Sequence, residues 1–131
     1  MEALQRVLAD DPRVAYALLF GSGARGDTHE GSDLDVAIAF RAGVMADTHA
    51  LGDLVSALEG AAGGRRIDLL LIDEAPPPVA YRAFRDGVVL VENDHRAFAA
   101  RKARAILEYL DFRPVEALAA RGVLSAAAHG R

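Results

Sequence analysis

The sequence lacks cysteine altogether, which excludes disulfide bonds and every zinc site that depends on thiolates. No apolar run approaches the ~20 residues of a membrane-spanning helix, so we expect no membrane contact. The N-terminal segment, residues 1–11, is acidic and amphipathic rather than leader-like, and we therefore expect a cytoplasmic protein. Lysine is also scarce, since Lys102 is the single one.

The sequence also has fewer basic than acidic residues, and its formal net charge is −4. General nucleic-acid binders carry a strongly basic surface, so we expect no direct nucleic-acid partner. The chain has 131 residues, of which 52% are hydrophobic, and is predicted to form a single domain over residues 1–131.

Hydrophobic periodicity predicts the element order α-β-β-α-β-α-β-α-α. The predicted strands cover residues 14–20, 34–40, 66–72 and 87–92. The predicted helices cover residues 2–10, 48–59, 79–85, 95–111 and 115–128. The Gly-rich residues 21–32 are predicted to form a loop, the three prolines at 76–78 an extended connector, and Pro114 an interruption between the last two helices. This order favours an α/β or α+β fold with a mixed sheet flanked by helices.

The helix predicted over residues 95–111 is amphipathic. One face collects the apolar residues Ala99, Ala103, Ile106, Leu107 and Leu110. The other collects the charged residues Arg96, Arg101, Lys102, Arg104 and Glu108. The helices over residues 95–131 therefore offer a surface on which a partner protein could bind.

Gly21 and Ser22 directly follow the first predicted strand. A glycine there can adopt a positive φ and lets a phosphate approach the backbone closely. Backbone N–H groups and the Ser22 hydroxyl would then face the anion, which is a predicted phosphate-binding turn. Taken alone, a Gly-Ser pair after a strand is more often a plain turn.

Asp33 and Asp35 stand at the start of the second predicted strand. Residues i and i+2 of a strand project from the same face, with Cα atoms about 6.5–7 Å apart. Two carboxylates so placed can share a cation such as Mg²⁺. The alternative is that both simply end a surface loop.

Asp68 lies near the start of the third predicted strand, ahead of four apolar residues. On a strand beside Asp33 and Asp35 it could accept a proton from an incoming hydroxyl or help hold a metal ion. Alternatively, it is a solvated strand end paired with Arg65 or Arg66. Arg25, between the turn and the carboxylates, could bind a phosphate or pair with Asp27 or Asp33, and both possibilities stay open.

Together these elements resemble the minimal nucleotidyltransferases of the DNA polymerase beta superfamily, and in particular the MntA-type antitoxins encoded beside HEPN-domain toxins. The resemblance covers roughly residues 14–114. It is carried by FGSGARG at 20–26, SDLDVAI at 32–38, RIDLLLI at 66–72 and ARKARAILEYLDFRP at 100–114.

The resemblance implies a polymerase-beta-like fold and an enzyme that uses Mg²⁺ and ATP to attach AMP to a tyrosine of a partner HEPN toxin, which blocks the toxin's RNase activity. It implies that Gly21 and Ser22 bind the triphosphate, that Asp33 and Asp35 bind Mg²⁺, and that Asp68 is the third carboxylate, which activates the acceptor hydroxyl.

Two other functions stay open at this point. The chain could be a non-catalytic antitoxin that blocks its toxin by occlusion, through the helices after residue 95. It could also be a nucleotidyltransferase that acts on a small molecule or an RNA end, although the short chain leaves little room for a second substrate domain.

Overall fold

The computed structural model of the chain describes residues 1–21 and 33–120, except for the side chains at positions 115 and 116. Its strands are β1 (Val14–Phe20), β2 (Leu34–Phe40), β3 (Ile67–Leu71) and β4 (Val88–Glu92). Its α-helices are α1 (Glu2–Asp10), α2 (Thr48–Ala61), α3 (Pro77–Asp86) and α4 (His95–Ala120). A 3₁₀ turn, Ile72–Glu74, directly follows β3.

The four strands form one mixed sheet in the order β3-β2-β1-β4. Strand β1 is antiparallel to both of its neighbours, whereas β2 and β3 are parallel. Six of the seven residues of β1 are buried, which fits its central position and its continuous apolar sequence. The predicted mixed sheet and all four predicted strands are therefore confirmed.

Helices cover both faces of the sheet. On one face, Leu4 and Leu8 of α1 and Leu54 and Leu58 of α2 pack against the sheet. The first turn of α2 is capped by the Asp47 carboxylate, which accepts the Ala50 N–H at 2.8 Å. On the other face the cluster comes from α3, α4 and the sheet, and includes Tyr16, Ala80, Ala83, Phe84 and Ala105.

The predicted extended connector at the triple proline is wrong for two of its three residues. Pro77 and Pro78 form the first turn of α3, and Pro76 is the N-cap residue. The first N–H groups of a helix have no partner within the helix, so prolines are tolerated in this turn.

The predicted interruption at Pro114 is also wrong, because α4 continues through it from His95 to Ala120. A proline removes one N–H donor, here the donor to the Leu110 carbonyl, and a helix can continue around that single loss. The part of the predicted final helix beyond residue 120 lies outside the described residues, as do residues 22–32 of the loop predicted over residues 21–32.

The charged face predicted for α4 is only partly correct. Arg101 is 9% exposed, and it donates to Asp73 at 3.1 Å, to the Ile72 carbonyl at 3.4 Å and to Glu108 at 3.4 Å. It therefore joins α4 to the 3₁₀ turn after β3. The apolar residues predicted for the opposite face, Ala99, Ala103, Ile106, Leu107 and Leu110, are all exposed.

No helix within residues 1–21 and 33–120 combines the length and the hydropathy that crossing a bilayer requires.

Candidate active site

The candidate site lies at one end of the sheet, where β1 finishes and both β2 and β3 begin. Asp35 is the second residue of β2, and it pairs with Phe20 of β1 on one side and with Asp68 of β3 on the other. The strand directions bring the Gly21 turn, Asp35 and Asp68 to the same edge. The predicted proximity of Asp68 to the Asp33–Asp35 segment is therefore found in the structure.

Both paired carboxylates project from the same face of the sheet. Ala37 and Leu70, which follow Asp35 and Asp68 by two residues, pack into the cluster beneath α3 and α4. Because side chains alternate along a strand, Asp35 and Asp68 point to that face as well. The two carboxylates thus lie on the face of the sheet that packs against α3 and α4.

The electrostatic environment of Asp35 is unfavourable to its charge. Its side chain is half-buried, whereas Asp33 and Asp68 are exposed. Desolvation raises the pKa of Asp35, and the negative charge of Asp68, a hydrogen bond to its carboxyl group and the charge of Asp33 raise it further. Carboxylates that repel each other in this way are suited to share a cation or a proton.

Position 21 requires glycine for two reasons, the backbone conformation there and the closeness of the Asp35 side chain. Its φ is +67°, a conformation that L side chains rarely adopt. A Cβ at this position would lie 2.5 Å from Oδ2 of Asp35, inside the contact distance of the two atoms. The turn therefore packs directly on the candidate carboxylate. Ser22, whose hydroxyl is predicted to contact a phosphate, and Arg25, whose partner the sequence leaves open, lie outside the described residues.

The start of β3 is held by a contact that the sequence analysis missed. The Ile67 N–H donates to Oε2 of Glu59 in α2 at 3.2 Å. Glu59 thereby fixes the residue next to Asp68 to a helix on the opposite face of the sheet. No local pattern signals this contact, because the two residues lie on different elements.

The donor set suits Mg²⁺, which prefers carboxylate oxygens. Among the described residues, no group of three or more carboxylate or imidazole side chains forms a complete metal site. Mg²⁺ does not need one, because it is commonly bound by one or two carboxylates together with waters and substrate phosphates. The raised pKa of Asp35 supports this fit, since a divalent cation would offset the repulsion between the carboxylates.

Comparison with known proteins gives three similar solved structures of particular interest. One is a chain of a toxin–antitoxin complex crystallised with AMP-PNP, with 21% identity, a TM-score of 0.76 and coverage of 94% of this chain and 97% of that chain. Another comes from the complex of tri-AMPylated Shewanella oneidensis HEPN toxin with MNT antitoxin, with 19% identity, a TM-score of 0.69 and coverage of 95% and 99%. At such identities these likenesses establish the fold alone.

A third structure, assigned as a minimal nucleotidyltransferase, has 31% identity and a TM-score of 0.57 over 66% of this chain and 85% of that chain. No curated protein matches the chain. The family model described as polymerase beta, nucleotidyltransferase matches residues 2–96, which include every candidate residue of the site. The mixed sheet and the arrangement of the candidate site are consistent with this family model. The chain therefore belongs to the polymerase beta nucleotidyltransferase family.

Proposed function

We propose that this protein is a cytoplasmic, Mg²⁺-dependent adenylyltransferase that transfers AMP from ATP to a tyrosine of a partner HEPN toxin, and that it acts as the antitoxin of the pair. The observation that carries the proposal is the pairing of Asp35 with Asp68 on adjacent strands, beside a glycine turn that packs on Asp35. Family membership supplies the reaction class.

The proposed roles are those that the family resemblance implies for these residues. Gly21 and Ser22 bind the triphosphate, Arg25 assists them, and Asp33 and Asp35 hold Mg²⁺ with Asp68 nearby. When bound, the metal ion neutralises negative charge on the phosphates. Asp68 is exposed, so an incoming hydroxyl can reach it.

In the proposed step, the acceptor oxygen forms a bond to the α-phosphorus of ATP. The bond from that phosphorus to the oxygen bridging to the β-phosphate breaks, and pyrophosphate leaves with that oxygen. Asp68 accepts the proton of the acceptor hydroxyl. Asp35, whose pKa is raised, faces the same space, and a cation placed there would offset the negative charges that raise it.

The choice of nucleotide and partner is supported by what the similar structures contain. One is a toxin–antitoxin complex with AMP-PNP, and another contains a HEPN toxin that carries three AMP groups. An adenine nucleotide substrate and a HEPN protein acceptor are therefore the natural choices to test first.

The test is an incubation of this protein with the neighbouring HEPN toxin, Mg²⁺ and α-labelled ATP. We expect label on a toxin tyrosine together with loss of its RNase activity. Asp33→Ala and Asp35→Ala should abolish both effects, whereas Asp53→Ala, which removes a carboxylate exposed on α2, should change neither. Absence of label, with neutralisation unaltered in the Asp33 and Asp35 variants, would contradict the proposal.

Occlusion of the toxin without catalysis is the second candidate, and one observation favours it. Leu107 is 63% exposed and Leu110 is 50% exposed on the same side of α4. Within one minimal nucleotidyltransferase domain over residues 1–131, we propose the region 95–131 as the partner-binding part. Under occlusion alone, the Asp33 and Asp35 variants would neutralise the toxin as well as the unmodified protein does.

A further inference from the structure

We propose that the outer edge of β3 receives an extended segment of the protein substrate as an added strand, and that this segment presents the acceptor side chain to Asp68. The inference rests on the proposed function, and it adds a binding mode for the substrate. Strand addition at a free sheet edge supplies affinity through main-chain hydrogen bonds and specificity through side-chain pockets.

The edge itself is available in the part of the chain that the structure describes. Strand β3 is the last strand of the sheet, and no described strand pairs with its outer side. An apolar edge strand of this kind is a ready template for pairing with another chain. Its sequence, IDLLL, has a single charged residue, Asp68, which is the candidate site residue.

The register identifies which backbone groups face outward. The Leu34 N–H donates to the Arg66 carbonyl, and Leu34 is paired with Ile67. In a parallel ladder, alternate residues bond to the same neighbour, so the backbone groups of Asp68 and Leu70 face β2. Those of Leu69 and Leu71 therefore face outward.

The contact of Glu59 supports this assignment independently. Its carboxylate accepts the N–H of Ile67, which is the first outward-facing donor of β3. Glu59 thus closes the beginning of the edge and leaves Leu69 and Leu71 as the next outward positions. An added strand would start beside Asp68 and continue along these two leucines.

An apolar groove runs along the same edge. Its volume is about 410 Å³, and it is lined by Leu51, Val55, Leu69, Leu70, Leu71 and Glu74. All five apolar residues are only half-buried, and they come from α2 and β3. The groove can therefore accept apolar side chains from a strand that pairs with β3.

The acceptor segment is the favoured occupant because Asp68 lies on the edge strand itself. Asp35 is one strand further in, so a protein segment meets Asp68 first when it approaches in the plane of the sheet. Neighbouring strands lie about 4.8 Å apart, which places a same-face side chain of the added strand next to the Asp68 carboxylate.

The proposed partner surface on α4 is continuous with this edge. Arg101 of α4 donates a hydrogen bond to Asp73 at 3.1 Å, and Arg104 forms an ion pair with the same carboxylate at 3.8 Å. Asp73 is followed by Glu74, which lines the groove. A toxin bound on α4 could thus extend a segment along β3 to Asp68.

Amide hydrogen exchange tests the proposal without requiring turnover. The complete protein is measured alone and with the neighbouring HEPN protein, Mg²⁺ and AMP-PNP. We expect exchange at Leu69 and Leu71 to slow by about tenfold or more in the complex. The amides of Asp68 and Leu70, which already bond to β2, serve as internal controls and should change little.

Two outcomes would overturn the inference. In the first, Leu69 and Leu71 exchange as fast in the complex as in the protein alone. In the second, both amides are already protected in the protein alone, which would mean that another segment of this chain or a second copy covers the edge.

A matched pair of variants tests the same edge by activity. Leu71 has φ −78°, which proline can adopt, so Leu71→Pro removes the outward N–H without backbone strain. Leu71→Ala loses a comparable side chain and keeps the N–H. We expect Leu71→Pro to raise the KM for the HEPN protein at least about fivefold over Leu71→Ala, with equal affinity of the two variants for Mg²⁺-ATP.

The two proposals fail in different ways. If the unmodified protein labels the HEPN protein and both Leu71 variants do so with the same KM, strand addition is wrong and the proposed function stands. If the unmodified protein transfers no label although Leu69 and Leu71 become protected, the proposed function is wrong and the edge remains the binding site of the HEPN protein.

Discussion

Asp35 and Asp68 occupy the same register position on two adjacent parallel strands, and the charge of Asp68 helps to raise the pKa of Asp35. Nothing in the packing of the sheet requires two acids at this position, and their mutual repulsion costs folding free energy. Function is the usual reason for such an arrangement, since perturbed carboxylates cluster at active sites.

Asp35→Asn should stabilise the ligand-free protein while abolishing AMP transfer. The substitution removes a half-buried charge that faces Asp68 and Asp33, so we expect the Tm at pH 7 to rise by about 2–5 °C. Thermal unfolding followed by circular dichroism measures the change. A lower Tm for the variant would show that the Asp35 charge is favourable in the ligand-free fold.

The pH dependence of this effect has a definite sign. The folded-state pKa of Asp35 is raised above its ordinary value of 3.8, so the folded state binds more protons in the window between the two values. The contribution of Asp35 to stability therefore falls as the pH rises through that window, and stays low above it. The stability difference between Asp35→Asn and the unmodified protein should shrink at the acidic end, and a constant difference would contradict this account.

Gly21→Ala should destabilise the fold and displace the Asp35 carboxylate. The matched control is Gly43→Ala, because Gly43 also has a positive φ, +84°, but a Cβ there would meet nothing within 4 Å. We expect about 1–2 kcal/mol of destabilisation from the backbone conformation in both variants. Only Gly21→Ala should also lose AMP transfer, and equal activity of the two would contradict the contact with Asp35.

Arg101→Met should loosen α4 from the rest of the protein. It removes the donor to the buried Ile72 carbonyl together with the bond to Asp73, so we expect a cost of about 1–3 kcal/mol in urea unfolding. Arg104→Ala is the control, because Arg104 contacts the same Asp73 from an exposed position and should cost less than ~1 kcal/mol. Equal losses of unfolding free energy in the two variants would mean that the burial of Arg101 does not add to stability.

Leu107→Asp and Leu110→Asp should weaken binding of the HEPN protein without lowering the Tm. Both leucines are at least half exposed, so a charge there disturbs little within the chain. Ala57→Asp introduces the same charge on the exposed side of α2 and should leave binding intact. Isothermal titration measures the affinities, and unchanged binding by both leucine variants would exclude this surface.

Much of the fold could be predicted because its signals are local. Apolar runs indicated β1 and β2, and hydrophobic periodicity indicated α2, whose buried residues include Leu54 and Leu58. The candidate site could be narrowed to Asp33, Asp35 and Asp68 because carboxylates at the start of buried strands are costly unless something compensates their charge. Their arrangement depends on strand order, which no single segment encodes.

The wrong predictions concern residues whose role depends on distant partners or on position within an element. Arg101 looked like a solvated helix residue, and it is buried because Asp73 and the Ile72 carbonyl accept its N–H groups. The prolines at 77 and 78 suggested a connector, yet the same chemistry suits the first turn of a helix. Sequence patterns do not distinguish these contexts.

The contact between Gly21 and Asp35 makes the two positions a single unit for protein engineering. Any side chain introduced at residue 21 occupies the space of the Asp35 carboxylate, so a redesign of the turn cannot leave the neighbouring acid untouched. Substitutions intended to alter the surroundings of the candidate site should therefore be sought at other positions, with this pair kept as it is.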